Sequence, residues 1–192
     1  MEGLINNLLH NRRSVFPKEY TGERVDDVII KQMLENANWA PTHKLTEPWR
    51  FVVFTGTGIQ RLADFQSDLY KKMSSAKGTF DPEKHDGLRS KPLQSSHIIA
   101  VGMKRDEQKS VPEIEEVGAV YMAVQNMYLT ASAYKVGCYL STGGITFYSE
   151  AKSFFGLGEE DKLLGFLHVG KPKHFDQKSK RNPIEAKVRW EY

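Results

Sequence analysis

Two guanidinium groups and a hydroxyl stand side by side at Arg12-Arg13-Ser14. Guanidinium forks match phosphate oxygens in a bidentate way, and a hydroxyl adds one more donor. The triplet is therefore either a phosphate site or a pair of solvated surface charges. A second unusual stretch runs from Trp39 to Phe51, with Trp39, Pro41, Thr42, His43, Lys44, Pro48, Trp49 and Arg50 close together. Each proline biases the residue before it toward extended backbone, so the stretch reads as a fixed connector rather than a helix. Such connectors commonly carry binding groups, although the two indole rings could equally fill core gaps. A third candidate is Ser141-Thr142-Gly143-Gly144, where a strand ending in small residues exposes backbone N–H groups, or simply turns.

Other chemistries find little support. The one cysteine, Cys138, excludes an internal disulfide and a multi-cysteine metal site, and its flanks read as buried strand. His85 and His97 have no partner at metal-ligand spacing, so no metal is expected. Gly56-Thr57-Gly58 follows a strand and precedes a helix, but it matches neither the dinucleotide fingerprint nor a P-loop. The formal charge of +3 is too small to imply nucleic acid. Lys171, Lys173, Lys178, Lys180, Arg181, Lys187 and Arg189 crowd the end of the chain. This tail could be a solvated face, a nucleic-acid patch or a phosphate clamp, and thin aromatic interleaving argues against the second.

The elements that must position these groups follow from periodicity. The 192 residues, 40% hydrophobic and 27% charged, suit one domain spanning 1–192. No apolar run approaches the roughly 20 residues of a membrane span and no secretory signal is visible, so a soluble cytoplasmic protein is expected. Helical spacing marks residues 2–11 and a segment opened by Asp26, with a strand at Arg50–Thr55 and a third helix containing Ile59, Leu62, Phe65 and Leu69. Residues 71–94 read as a polar excursion or lid with short helical pieces. His97–Met103 reads as a buried strand. A long helix after Pro112 runs to about Lys135, apolar or small on nearly every face and so expected to be buried all round, by its own chain and a second subunit. Strands follow at Cys138–Ser141 and Leu163–Val169, with a helix at Ser149–Phe155 and a last edge strand over Pro183–Trp190.

Taken in order, these stretches resemble the FMN-dependent nitroreductases, in particular their compact bacterial NAD(P)H-using branch. The matching features are Arg12-Arg13-Ser14 after the first helix, Ala40-Pro41-Thr42-His43-Lys44 leading to Pro48-Trp49-Arg50-Phe51, the Gln125-Asn126 helix ending at Gly137, the strand Gly165–Gly170 and the basic tail. The resemblance implies an α+β fold whose central, mostly antiparallel sheet of four or five strands is flanked by helices. It implies an interlocked homodimer that packs through the long helix, with residues 171–192 crossing to the partner and FMN at the interface. Arg12, Arg13 and Ser14 would hold the FMN phosphate and ribityl chain, joined by Arg181 and Lys180 from the tail. Leu140, Ser141 and Thr142 would line the isoalloxazine, and Trp39, Thr42 and His43 would reach in from the other subunit.

The implied activity is hydride transfer from NADH or NADPH through flavin N5 to a nitroaromatic, quinone or related small-molecule acceptor in ping-pong fashion. No nucleic acid or membrane is involved, and His43 is the one candidate helper in proton transfer. The alternatives are dehalogenation or flavin cleavage on the same scaffold, or a non-catalytic FMN-binding protein. Three positions depart from the family pattern. Phe16 stands where Arg or Lys is common, removing a cation from the flavin N1/O2 edge, and Leu45 and Glu47 replace an Asn and a Gln of the connector.

Overall fold

The computed structural model describes residues 2–174 and 180–192. Four strands build one sheet: β1 (Trp49–Thr55), β2 (His97–Met103), β3 (Gly137–Ser141) and β4 (Lys162–Gly170), in the spatial order β1-β2-β4-β3. Every neighbouring pair is antiparallel. β2 is buried along its whole length, as its unbroken apolar run requires for a strand covered on both faces.

Helices cover the two faces. On one lie α2 (Asp27–Asn38) and α5 (Glu113–Ala133), whose Met33, Ala123 and Met127 pack on Ile99, Val101 and Leu167. Asp26 caps α2 by accepting from the Val28 N–H at 2.9 Å, as its sequence position suggests. On the other face α3 (Thr57–Ala76) and the 3-10 turns at 144–155 enclose Phe54, Leu62, Ile98, Phe155 and Phe166.

Residues 71–94 hold the expected helical pieces, more regular than their polar composition suggests: α3 continues to Ala76, and after a turn come α4 (Pro82–Ser90) and a 3-10 turn at Lys91–Gln94. Their polar composition hides the signals that count, namely Asp81 capping Glu83 and Lys84, proline in the first turn, and Tyr70 buried beneath. Within one chain α5 is buried on one side, and the other is the side left for the expected second subunit. Ile114, Tyr121 and Met122 are exposed, an apolar face that no described residue of the same chain covers. Finally, the segment expected as an edge strand holds a 3-10 turn at Glu185–Lys187 between exposed extended stretches. A strand requires a partner edge; none among the described residues pairs with this segment, and Ile184, Val188 and Trp190 are exposed. The helix expected at Ser149–Phe155 is present as a 3-10 helix.

Candidate functional site

The outer edge of β3 is where the sequence-derived groups begin to meet. The chain leaving α1 (Glu2–Asn11) runs beside this edge: Ser14 forms a parallel bridge to Cys138, and the Val15 N–H donates to the Cys138 carbonyl at 2.8 Å. Two positions on, the Leu140 N–H donates to the Tyr128 hydroxyl at 2.7 Å. The Ser14 hydroxyl bonds to the same phenol, and the Arg12 guanidinium lies 5.1 Å from its ring centroid. Burial raises the Tyr128 pKa, so the phenol stays protonated. Arg12, Ser14, Tyr128 and Leu140 thus form one cluster. Arg13 donates to the carbonyls of His10 at 2.5 Å and Arg12 at 2.8 Å.

On the α3 side of the sheet a cleft of about 550 Å³ opens, within the roughly 300–1,000 Å³ range of small-molecule sites. Its floor is an aromatic row across the strands. The Phe16 ring lies 4.5 Å from Tyr139, and Tyr139 lies 6.2 Å from His168. These side chains share a face because Tyr139 pairs with His168 in the antiparallel register. Ser141, Gly143 and Gly144 form the rim, while Gln66 of α3 and Lys84, Leu88 and Lys91 of the α4 region form the opposite wall. Lys18 and Gln94 also line the cleft, and no aspartate or glutamate does.

The remaining predicted residues lie apart from the cleft in one chain. Leu140 packs into the core on the α5 side, and the exposed Thr142 serves by its carbonyl, accepting from the Thr146 hydroxyl at 3.0 Å. Trp39 is 79% exposed, its indole N–H donating to Glu35 at 3.1 Å. The Thr42 and Thr46 hydroxyls bond at 3.2 Å, and His43 Nδ1 meets Glu115 at 2.5 Å, tying the connector to the start of α5. Lys44, Leu45 and Glu47 all have positive φ, at 51°, 54° and 41°. Non-glycine residues adopt this region at a cost, so the connector is a strained shape held by its surroundings. Lys180 and Arg181 sit on the exposed tail, where Arg181 donates to the Lys180 carbonyl at 3.0 Å. Cys138 is buried, and burial pushes its thiol far up, which rules out a reactive thiolate. Among the described residues no cluster of His, Cys, Asp or Glu is arranged to hold a metal, and no helix is long and apolar enough to cross a membrane.

With this geometry established, comparison with known proteins is decisive. The nitroreductase family profile matches residues 9–171. The chain belongs to the nitroreductase family. One relative, "Putative NAD(P)H nitroreductase YdjA" of Escherichia coli, is 32% identical over 86% of this chain and 87% of its own. Another, "Putative NAD(P)H nitroreductase YfhC" of Bacillus subtilis, is 27% identical over 94% and 91%. A solved nitroreductase-like family protein from Bacillus cereus superposes with a TM-score of 0.81 at 27% identity, covering 97% of this chain and 95% of that one. Phe16 contributes a ring rather than a cation, and the positive charge comes from Lys18, Lys84 and Lys91. Sequence reasoning missed Tyr139, His168, Gln66 and the two α4-region lysines. Only the strand register and the α4 helix bring them together, although alternation in the strands already put Tyr139 with Ser141, and Phe166 with His168, on common faces.

Proposed function

We propose that this protein is an FMN-dependent NAD(P)H oxidoreductase, working as a homodimer on nitroaromatic, quinone or related acceptors. The observation that carries the reading is a lysine-lined cleft of flavin-compatible size, with no carboxylate among its described lining residues, bounded by Tyr139 and Ser141 of the same β3 strand whose Cys138 Ser14 bridges. The donor set suits FMN. Its phosphate carries about −1.5 to −2 charge at neutral pH, which a guanidinium, a hydroxyl and nearby lysines can satisfy without a glycine-rich loop. Family membership and the names of the relatives support the same chemistry.

Arg12 and Ser14 would hold the phosphate end, with Arg181 and Lys180 approaching from a tail and Arg13 serving mainly to close α1. Ser141, Gly143 and Gly144 would lie along the ring system, where side chains this small let backbone come close. Phe16 and Tyr139 would give an apolar wall that keeps water from the reacting edge. Bound FMN would accept two electrons from NADH or NADPH and release them to the second substrate. A single cleft used in turn by both substrates gives ping-pong kinetics.

The exposed apolar face of α5 supports the dimer, and the exposure of Trp39, Thr42 and His43 suits their use by a partner subunit. The test is to purify the protein, load it with FMN and add NADPH or NADH without oxygen. Bleaching of the visible flavin absorption, followed by recovery on adding a quinone, is expected. A protein that takes up no FMN, or holds FMN that neither nucleotide bleaches, refutes the assignment.

A further inference from the structure

His168 is a group that the proposed function leaves unused. It is only 8% exposed, yet it lines the cleft. Its Nδ1 is 3.0 Å from the hydroxyl of Ser95, itself 7% exposed, and its carbonyl accepts from the Tyr20 hydroxyl at 3.1 Å. Ring and backbone are therefore both fixed.

The direction of the Ser95 bond sets the tautomer. A hydroxyl that accepted from Nδ1–H would need another acceptor for its own proton, and none is in reach among the described residues. Ser95 is accordingly assigned as the donor to Nδ1, which puts the ring proton on Nε2. Nε2 has no protein partner among the described residues, yet no buried side-chain nitrogen or oxygen there is left unsatisfied. Nε2–H therefore opens on the cleft. Burial lowers the His168 pKa to about 4, so at neutral pH the ring is an uncharged donor.

We propose that His168 is the hydrogen-bond donor at the sheet-side wall of the cleft, through Nε2–H, to a carbonyl, nitro or oxyanion oxygen of the planar ring bound there. The proposal rests on the FMN reading for the identity of the ring. The oxygen belongs either to the flavin or to the acceptor. The carboxylate-free lining agrees with an oxygen-rich edge, and Phe16 leaves this wall without a guanidinium.

Two variants and one spectrum test it. His168→Phe removes the donor and retains the ring's bulk, whereas His168→Gln restores an N–H. In the flavin-free protein at neutral pH, the 15N resonances of His168 should show a neutral ring protonated on Nε2. If the oxygen is the flavin's, His168→Phe should weaken FMN binding by roughly tenfold and shift the potential of the bound flavin, with His168→Gln recovering most of both. If the oxygen is the acceptor's, FMN affinity and potential stay put while KM for 1,4-benzoquinone rises by roughly tenfold in the Phe variant alone. A ring protonated on Nδ1, or FMN affinity, potential and KM all within about twofold of the parent in the Phe variant, overturns the assignment. Should the Phe variant fail to fold, the tautomer spectrum of the parent still decides. A parent protein that binds no FMN refutes the proposed function, whereas a parent that binds it, with FMN affinity, potential and KM all unchanged in the Phe variant, refutes only the role of His168.

Discussion

Arg12 and Arg13 are neighbours with different surroundings. One guanidinium lies over Tyr128, and the other donates to the carbonyls of His10, in the last turn of α1, and of Arg12 just beyond it. Arg12→Ala is therefore expected to weaken FMN binding by at least about tenfold, the usual scale for a lost charge-assisted hydrogen bond. Arg13→Ala should act mainly on α1, and fluorescence titration of the two variants with FMN separates them. Equal losses would contradict the division of labour. His168 makes a second prediction at this scale. Its pKa falls from 6.5 to about 4 on folding, so between those values the unfolded chain binds a proton that the folded chain excludes. Stability present at neutral pH should decline as pH falls through this window, by up to about 3 kcal/mol from this residue. Burial lowers the pKa of His97 too, adding a slope of the same sign. Urea unfolding at neutral and mildly acid pH reads the slope, and His168→Phe should flatten it.

At the scale of elements, close approaches and one buried ion pair hold the site's framework. A Cβ on Gly165 would lie 2.7 Å from the Ser141 carbonyl, a backbone atom that can move only if β3 moves away from β4. Gly165→Ala should cost about 1–3 kcal/mol in denaturant unfolding, with loss of flavin retention because the Ser141 rim shifts. The start of α5 is tied down by Glu116, 1% exposed, which pairs with Arg105 and accepts from the Asp106 N–H at 2.9 Å. Arg105 also donates to the Val111 carbonyl at 2.8 Å. Glu116→Ala would strand a mostly buried guanidinium and should destabilise by about 3–5 kcal/mol, with Glu116→Gln milder. A cost below 1 kcal/mol, on the order of an exposed pair, would show that the pair is solvated.

For the whole molecule the outward apolar face of α5 is the decisive surface. Ile114, Tyr121 and Met122 are 74%, 39% and 45% exposed, and α1 adds Leu4 and Ile5. Exposed apolar patches of this kind mark association surfaces. Replacing Tyr121 and Met122 together by glutamate should shift the protein toward monomer in sedimentation velocity and release FMN in parallel. A monomeric variant that keeps its flavin would show that one chain completes the site. The parent running as a monomer would remove the basis for assigning Trp39, Thr42 and His43 to a partner's pocket.

Periodicity and punctuation in the sequence were enough to delimit all four strands and the helices over Glu2–Asn11, Asp27–Asn38 and Glu113–Ala133, because each signal is local: alternation, an i, i+4 stripe, a capping aspartate, a closing glycine. Arg12, Arg13 and Ser14 stood out for the same reason, as a short run of groups of the kind that bind phosphate. The cleft was not. Phe16, Gln66, Lys84, Tyr139 and His168 are spread over 153 positions of chain, and only the β3–β4 register and the packing of α4 gather them. The fate of the tail was equally beyond a linear reading, since alternation shows that a segment can pair as a strand but not whether any edge is there to receive it. Local chemistry is written in neighbouring residues, whereas a binding site is decided by which distant backbones hydrogen-bond and which faces that pairing turns toward one another.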